Sequence, residues 1–179
     1  SVYRFLVQSH PELDGLTGRE ALRRGKADEA LAVADSIADG SFFENDALND
    51  AMDHVRERGS QLHIIGLLGT GGVHSHLSHE KALLELARRR GLDQVFVHAF
   101  TDGRDTMPRS GLGYMQDLQA AMAELGVGQV ATVTGRYYAM DRDRRWERTK
   151  LAYDALVSGV GRPAPSAQAA IQQSYDEGV

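Results

Sequence analysis

The sequence contains no cysteine, so disulfide bonds and thiolate chemistry cannot contribute to its fold or its function. No apolar run approaches the roughly 20 residues needed to cross a bilayer. The first residues also lack the basic, apolar and small-residue succession of a signal peptide. A general excess of basic residues is missing too, because the net charge is -5. We therefore expect a cytoplasmic enzyme that binds neither membranes nor nucleic acid.

The amino-acid composition is ordinary for a soluble globular protein. The 179 residues are 42% apolar and 25% charged, which is enough apolar material for a real core. This length suits one domain, or one domain and part of another.

Three strand-like apolar runs are each followed by a polar loop and a helical pattern. The predicted strands are 62–68, 95–101 and 129–134, and the first two read as strands buried on both faces. The predicted helices cover about 19–38, 45–58, 78–90, 110–125, 144–157 and 166–175. This alternation predicts an α/β fold, a three-layer αβα sandwich with a mainly parallel sheet. The loops that follow the strands should then lie together at one edge of that sheet.

The first loop combines glycines with His74 and His76. Its glycines could let backbone N–H groups approach an anion, or they could simply turn the chain while the histidines cap the next helix. It lacks the Gly-Lys-Ser/Thr ending of a nucleotide phosphate loop. A metal site would need further ligands, such as His79 with Asp102 or Asp105, and is the less favoured alternative.

The second loop carries Asp102, Arg104 and Asp105 directly after a strand. These charges could form a self-neutralised surface turn. The functional alternative is that Arg104 binds a substrate anion while one aspartate accepts a proton from a substrate hydroxyl. Spacing does not decide which aspartate does so.

The third loop opens a segment that is unusually rich in arginine. Arg136 and Arg142 precede the predicted helix and should face the site, where their planar donors match carboxylate or phosphate oxygens. Trp146 and Tyr153 are predicted to pack. The other charges are expected to be solvated and to pair with one another: Arg144, Arg145 and Arg148 with Asp141, Asp143 or Glu147.

Four of the remaining histidines have no predicted role in the site. His98 lies inside a strand and is expected to be a satisfied core residue. His10, His54 and His63 have no evident partner.

Four segments together resemble the cofactor-independent phosphoglycerate mutases. They are Asp-Gly-Ser-Phe-Phe-Glu-Asn (39–45), Gly-Gly-Val-His-Ser-His (71–76), His-Ala-Phe-Thr-Asp-Gly-Arg-Asp (98–105) and Gly-Arg-Tyr-Tyr-Ala-Met-Asp-Arg-Asp (135–143). The similarity extends over about residues 30–179. We accordingly divide the chain into an unassigned segment, residues 1–24, and a phosphotransferase-type, substrate-binding domain, residues 25–179, which we expect to be incomplete at its C-terminal end.

The resemblance implies interconversion of 3-phosphoglycerate and 2-phosphoglycerate in glycolysis, without 2,3-bisphosphoglycerate as a cofactor. It implies two divalent metals, usually manganese, and a nucleophilic serine on another domain. It also implies a role for five residues of this chain. Substrate would be bound by His74, Arg104, Asp105, Arg136 and Arg142, with Asp105 as the base or the group that orients the glycerate hydroxyls.

The sequence departs from the family pattern in several places. The serine segment, the metal ligands and a later arginine pair have no counterpart in this chain, and Gly69-Thr70 replaces the usual serine followed by aspartate or proline. We therefore expect no metal site here, a missing metal-binding domain as partner, and no mutase activity from the chain alone. A non-catalytic binding module for a small phosphorylated carboxylic acid is the alternative function.

Overall fold

The computed structural model describes residues 27–178, and the unassigned segment 1–24, with His10, lies outside them. Three strands, β1 (Leu62–Leu68), β2 (Val95–Thr101) and β3 (Gln129–Gly135), form a parallel sheet in the order β1-β2-β3. Helices lie on both sides of this sheet. The predicted α/β sandwich with a parallel sheet is therefore confirmed.

Seven α-helices accompany the sheet in the described part of the chain. In order they are α1 (Ala27–Asp39), α2 (Asp46–Arg58), α3 (Leu77–Arg89), α4 (Gly111–Leu125), α5 (Arg136–Ala139), α6 (Trp146–Ser158) and α7 (Ala167–Asp176). A short 3-10 helix (Ser41–Glu44) precedes α2. The residues before Ala27 in the first predicted helix, 19–38, lie outside the described region.

Local sequence signals account for the ends of the helices. The side chain of Asn45 accepts a hydrogen bond from the backbone N–H of Leu48 at 3.1 Å, which satisfies one free donor at the start of α2. Gly59 ends the same helix with φ of 58°, a left-handed conformation that glycine adopts without steric cost. Gly126 closes α4 in the same way. Helix bounds could therefore be predicted to within about two residues.

The core lies where α3 and α4 pack against one face of the sheet. Its fully buried side chains come from all these elements: Leu68, Leu84, Leu86, Val95, Val97, Met115 and Leu118. At the central strand β2, the predicted burial is confirmed, since Val95 to Ala99 are buried or nearly so. For β1 it is wrong, because Ile65 is 55% exposed. Within the described chain β1 is an edge strand, so its second face has fewer neighbours.

The sequence analysis did not predict the short helix α5, whereas α6 begins at Trp146, within two residues of its predicted start. Trp146 and Tyr153 were expected to pack, yet they are 72% and 59% exposed. They lie on an outer face of α6, where helical periodicity alone cannot tell a covered face from an open one.

Candidate functional site

A cleft of about 1040 Å³ opens at the edge of the sheet where the three strands end. The loops after β1, β2 and β3 all contribute to its lining, and so does α7. In parallel α/β sheets this edge is where ligands bind. The predicted meeting of the three loops is therefore confirmed.

Arg136 holds the second and third loops together. Its Nη1 donates to Oδ1 of Asp102 at 2.7 Å and to Oδ2 of Asp105 at 2.6 Å. The three side chains are largely buried, with exposed fractions of 13% for Arg136, 2% for Asp102 and 19% for Asp105. Since charge-assisted hydrogen bonds are the stronger kind, this cluster fixes the relative position of β2 and β3 at the cleft.

The buried surroundings and the ion pairs act in opposite directions on the pKa values. Burial raises the pKa of Asp102, but hydrogen bonds from Arg136 and from the backbone N–H groups of Asp105 and Arg104 outweigh it and leave that pKa below its ordinary value. Burial likewise lowers the pKa of Arg136, and its bonds to Asp105 and Asp102 outweigh that effect and raise it. Both groups are consequently charged at neutral pH.

The five predicted site residues are brought together at this edge. His74, Arg104, Arg136 and Arg142 line the cleft. Asp105 joins them through Arg136 and through His74, whose Nε2 lies 3.9 Å from its Oδ2. Their roles toward a ligand remain predictions.

The histidine loop divides between the cleft and the helix that follows it. His76 caps α3, because its Nδ1 accepts from the backbone N–H of Ser78 at 3.2 Å. Burial lowers the pKa of His76 and of its neighbour His79, which favours the neutral imidazoles that capping and packing need. His76 therefore fits the alternative in which the histidines of this loop cap the next helix, while His74 faces the cleft.

The described residues of the cleft do not form a metal site. Within residues 27–178, no group of three or more His, Cys, Asp or Glu side chains is arranged to hold a metal ion. The described helices also include none that is long and apolar enough to cross a membrane.

The structure contains a second ion-pair cluster, which is more buried than the sequence indicated. Nη1 of Arg148 donates to Oδ1 of Asp141 at 3.2 Å, and the guanidinium lies 3.8 Å from the centre of the Tyr137 ring. The pairing of Arg148 with Asp141 was among those predicted. Its expected solvation is wrong, since Arg148 is only 19% exposed and lines the cleft. The stacking on Tyr137 had no signal in the sequence, because the orientation of that ring depends on the unpredicted helix α5.

Two histidines form a separate pair on the strands of the sheet. His98 is 6% exposed, its Nδ1 is bonded to Oγ1 of Thr132, and its Nε2 lies 2.9 Å from Nδ1 of His63. The expectation for His98 as a satisfied core residue is confirmed. The expectation that His63 has no partner is wrong, because the contact crosses from β1 to β2 and depends on the register of the sheet.

Comparison with known proteins decides the family. The family model described as "BPG-independent PGAM N-terminus" matches residues 33–179. The chain belongs to this family. The resemblance carried by its loop segments is therefore confirmed.

Individual mutases agree with this assignment. The 2,3-bisphosphoglycerate-independent phosphoglycerate mutase of Chloroflexus aurantiacus is 58% identical over 147 residues, which cover 82% of this chain and 27% of that protein. The same enzyme of Clostridioides difficile is 56% identical, over 82% and 28% of the two chains. Among solved structures, the phosphoglycerate mutase of Leishmania mexicana at low cobalt concentration superposes with a TM-score of 0.76 at 32% identity, covering 83% of this chain and 28% of that one. The chain thus spans somewhat more than a quarter of the length of these relatives.

Proposed function

We propose that this chain is the substrate-binding part of a phosphoglycerate mutase that interconverts 3-phosphoglycerate and 2-phosphoglycerate through a phosphoserine. The observation that carries the proposal is the cleft itself, in which arginines and a histidine surround the Arg136 ion-pair cluster. Membership of the mutase family supports the same substrate class.

The arginines suit a ligand with two anionic ends. A phosphoglycerate carries a carboxylate and a phosphate, and the planar guanidinium group can donate to two oxygens of either. Both ion pairs of Arg136 use Nη1, so Nη2 and Nε are the donors that a ligand would take. In the proposal Arg104 and Arg142 complete the hold on the two anionic groups.

Asp105 is the better of the two aspartates for a role at the glycerate hydroxyls. Asp102 is 2% exposed, has a lowered pKa and accepts hydrogen bonds from the protein itself. Asp105 is 19% exposed and lies beside His74 at the cleft. A carboxylate within hydrogen-bond reach of a hydroxyl can accept its proton or orient it. In the proposal Asp105 does so while the glycerate stays bound and turns between the two phosphoryl transfers.

The two divalent metals that the family resemblance implies do not fit the described residues, which offer no suitable group of ligands. No step proposed for residues 27–178 depends on them. The metals, proposed to be manganese, and the nucleophilic serine are assigned to another part of the mutase.

Calorimetric titration of the chain with 3-phosphoglycerate tests the binding role. We expect saturable binding that Arg142→Ala weakens, whereas Arg58→Ala, an exposed arginine of α2 that does not line the cleft, leaves it unchanged. Glycerol 3-phosphate, which lacks the carboxylate, should bind less tightly. Absence of saturable binding to the folded wild-type chain would contradict the proposal.

A chimaera tests the isomerase role. Residues 33–179 replace the corresponding segment of the Chloroflexus aurantiacus mutase, and interconversion of the two phosphoglycerates is followed by a coupled assay. We expect activity in the chimaera and its loss on changing Asp105 to Asn, with binding of 3-phosphoglycerate retained. A chimaera that folds and binds 3-phosphoglycerate but does not turn it over would favour the non-catalytic binding module.

A further inference from the structure

Two buried aspartates at the cleft, Asp102 and Asp141, have the same kinds of hydrogen-bond partner. Oδ1 of Asp102 accepts from the backbone N–H groups of Arg104 and Asp105, each at 3.1 Å, and from Nη1 of Arg136. The side chain of Asp102 is 2% exposed. Its carboxylate thus joins the loop after β2 to the guanidinium at the end of β3.

Asp141 repeats this pattern in the loop after α5. Its Oδ2 accepts from the backbone N–H groups of Asp143 at 3.2 Å and Arg145 at 2.8 Å, and its Oδ1 accepts from Nη1 of Arg148. This side chain is also 2% exposed. The carboxylate of Asp141 thus closes the loop that carries Arg142 onto the first turns of α6.

Each aspartate therefore combines two backbone bonds with one arginine, and each belongs to a loop that carries a predicted ligand residue. Arg104 and Asp105 sit in the loop that Asp102 closes, and Arg142 sits in the loop that Asp141 closes. Both side chains are almost fully buried, and each carboxylate accepts three hydrogen bonds from the protein itself. Their negative charge therefore acts on hydrogen-bond donors of the protein.

The charge of these carboxylates strengthens the bonds that they accept. A hydrogen bond to an ionised acceptor is roughly twice as strong as one to a neutral acceptor. The lowered pKa of Asp102 agrees with a carboxylate that remains ionised in this position. Loops fixed before a ligand arrives lose less conformational freedom on binding, which raises affinity.

We propose that Asp102 and Asp141 are positioning residues, which hold the loops bearing Arg104 and Arg142 in the conformation that receives an anionic ligand. The identity of that ligand rests on the proposed function. The positioning of the loops is independent of the proposed function, because it can be measured on the unliganded chain.

Amide hydrogen exchange of the free chain, followed by NMR, is the first measurement. In the wild type we expect slow exchange at the backbone N–H groups of Arg104, Asp105, Asp143 and Arg145, because each is bonded to a carboxylate. Asp102→Asn removes the charge but keeps the shape. It should speed exchange at Arg104 and Asp105 by about tenfold and leave the other loop as it is.

Asp141→Asn should give the converse result, with faster exchange confined to Asp143 and Arg145. Asp50→Asn, an exposed residue of α2, is the matched control and should change neither loop. A purely structural role predicts a different outcome, namely faster exchange throughout the chain together with a lowered Tm. That outcome, or unprotected loop amides in the wild type, would overturn the proposal even where a variant fails to fold.

Affinity is the second measurement, made at a temperature where every variant is fully folded. Titration with 3-phosphoglycerate should show about tenfold weaker binding for each Asn variant. Unchanged affinity in a variant whose loop exchanges faster would refute the positioning role. If the wild type binds no 3-phosphoglycerate but its loops are protected as expected, the proposed function fails and the assignment of the two aspartates stands. Inorganic phosphate then serves as the anionic probe.

Discussion

Nη1 of Arg136 lies 2.6 Å from Oδ2 of Asp105, and this ion pair joins the ends of the two strands that frame the cleft. Since the same nitrogen also reaches Asp102, one guanidinium bonds to two carboxylates beside the proposed anion site and offsets part of their negative charge. Without it, those carboxylates would repel a phosphorylated acid. Arg136 thus has both a structural and an electrostatic part in the site.

Arg136→Lys should weaken binding of 3-phosphoglycerate about 10- to 100-fold. Lysine keeps the positive charge but carries it as a compact ammonium group, which cannot hold two carboxylates and also present a planar pair of donors to a ligand. Calorimetric titration measures the effect, with Arg58→Lys on α2 as the control. Equal affinity in the wild type and in Arg136→Lys would show that only charge matters at this position.

Gly71→Ala should weaken the same binding without greatly changing stability. A Cβ at residue 71 would lie 2.9 Å from the backbone oxygen of Asp105 and 3.2 Å from its Cβ, so the histidine loop and the second loop would have to separate. The expected loss of affinity is about tenfold, because small displacements of site residues are costly. The measurement is again a titration with 3-phosphoglycerate.

Gly113→Ala on α4 is the matched control, since nothing lies within 4 Å of a Cβ there. It should leave affinity unchanged and should stabilise the helix by about 0.5–1 kcal/mol. If Gly71→Ala binds as tightly as this control, the two loops do not need their close approach.

The fold could be predicted wherever a local signal marks an element. Helix ends are marked by a capping side chain at Asn45 and by left-handed glycines at Gly59 and Gly126. Residues of these types can be recognised in the sequence. The four-residue helix α5 has no such signal. The exposure of Ile65 was missed for a different reason, because it depends on β1 being at the edge of the described sheet.

The sequence could predict which residues meet at the cleft, but not the contacts that each of them makes there. Topology brings the polar loops together, so Arg104 and Arg136 could be assigned to one cleft. Spacing could not show that the carboxylate of Asp102 turns inward while that of Asp105 faces His74. Nor could it place Asp141 and Arg148 in a buried cluster, because that contact requires the relative placement of α5 and α6.

Gly66→Ala should destabilise the chain by about 1–3 kcal/mol, the usual range for an overpacked core. Its Cβ would overlap Oε1 of Glu80 and lie 3.0 Å from Cδ, and Glu80 is only 3% exposed, so its side chain has little room to move. Urea unfolding measures the free energy. In a Glu80→Ala background the same substitution should cost clearly less. Equal costs in both backgrounds would mean that this contact is not the source of the strain.

Glu80 should also make stability depend on pH. Burial raises its pKa from 4.5 to about 7, against the opposing effects of hydrogen bonds from Ser75 and from a backbone N–H. Among the described residues, its Oε2 has no hydrogen-bond partner. Because the folded pKa is the higher one, the unfolded chain loses the proton first as pH rises. The loss of folding stability therefore develops between pH 4.5 and about 7, and it is complete above pH 7.

Glu80→Gln removes this titration with little change of shape. Relative to the wild type, the variant should gain about 2–3 kcal/mol of unfolding free energy between about pH 5 and pH 8. Urea unfolding at the two pH values measures the gain, and Glu124→Gln, an exposed residue of α4, should follow the wild type. If the difference between Glu80→Gln and the wild type stays constant over this range, folding does not raise the pKa of Glu80.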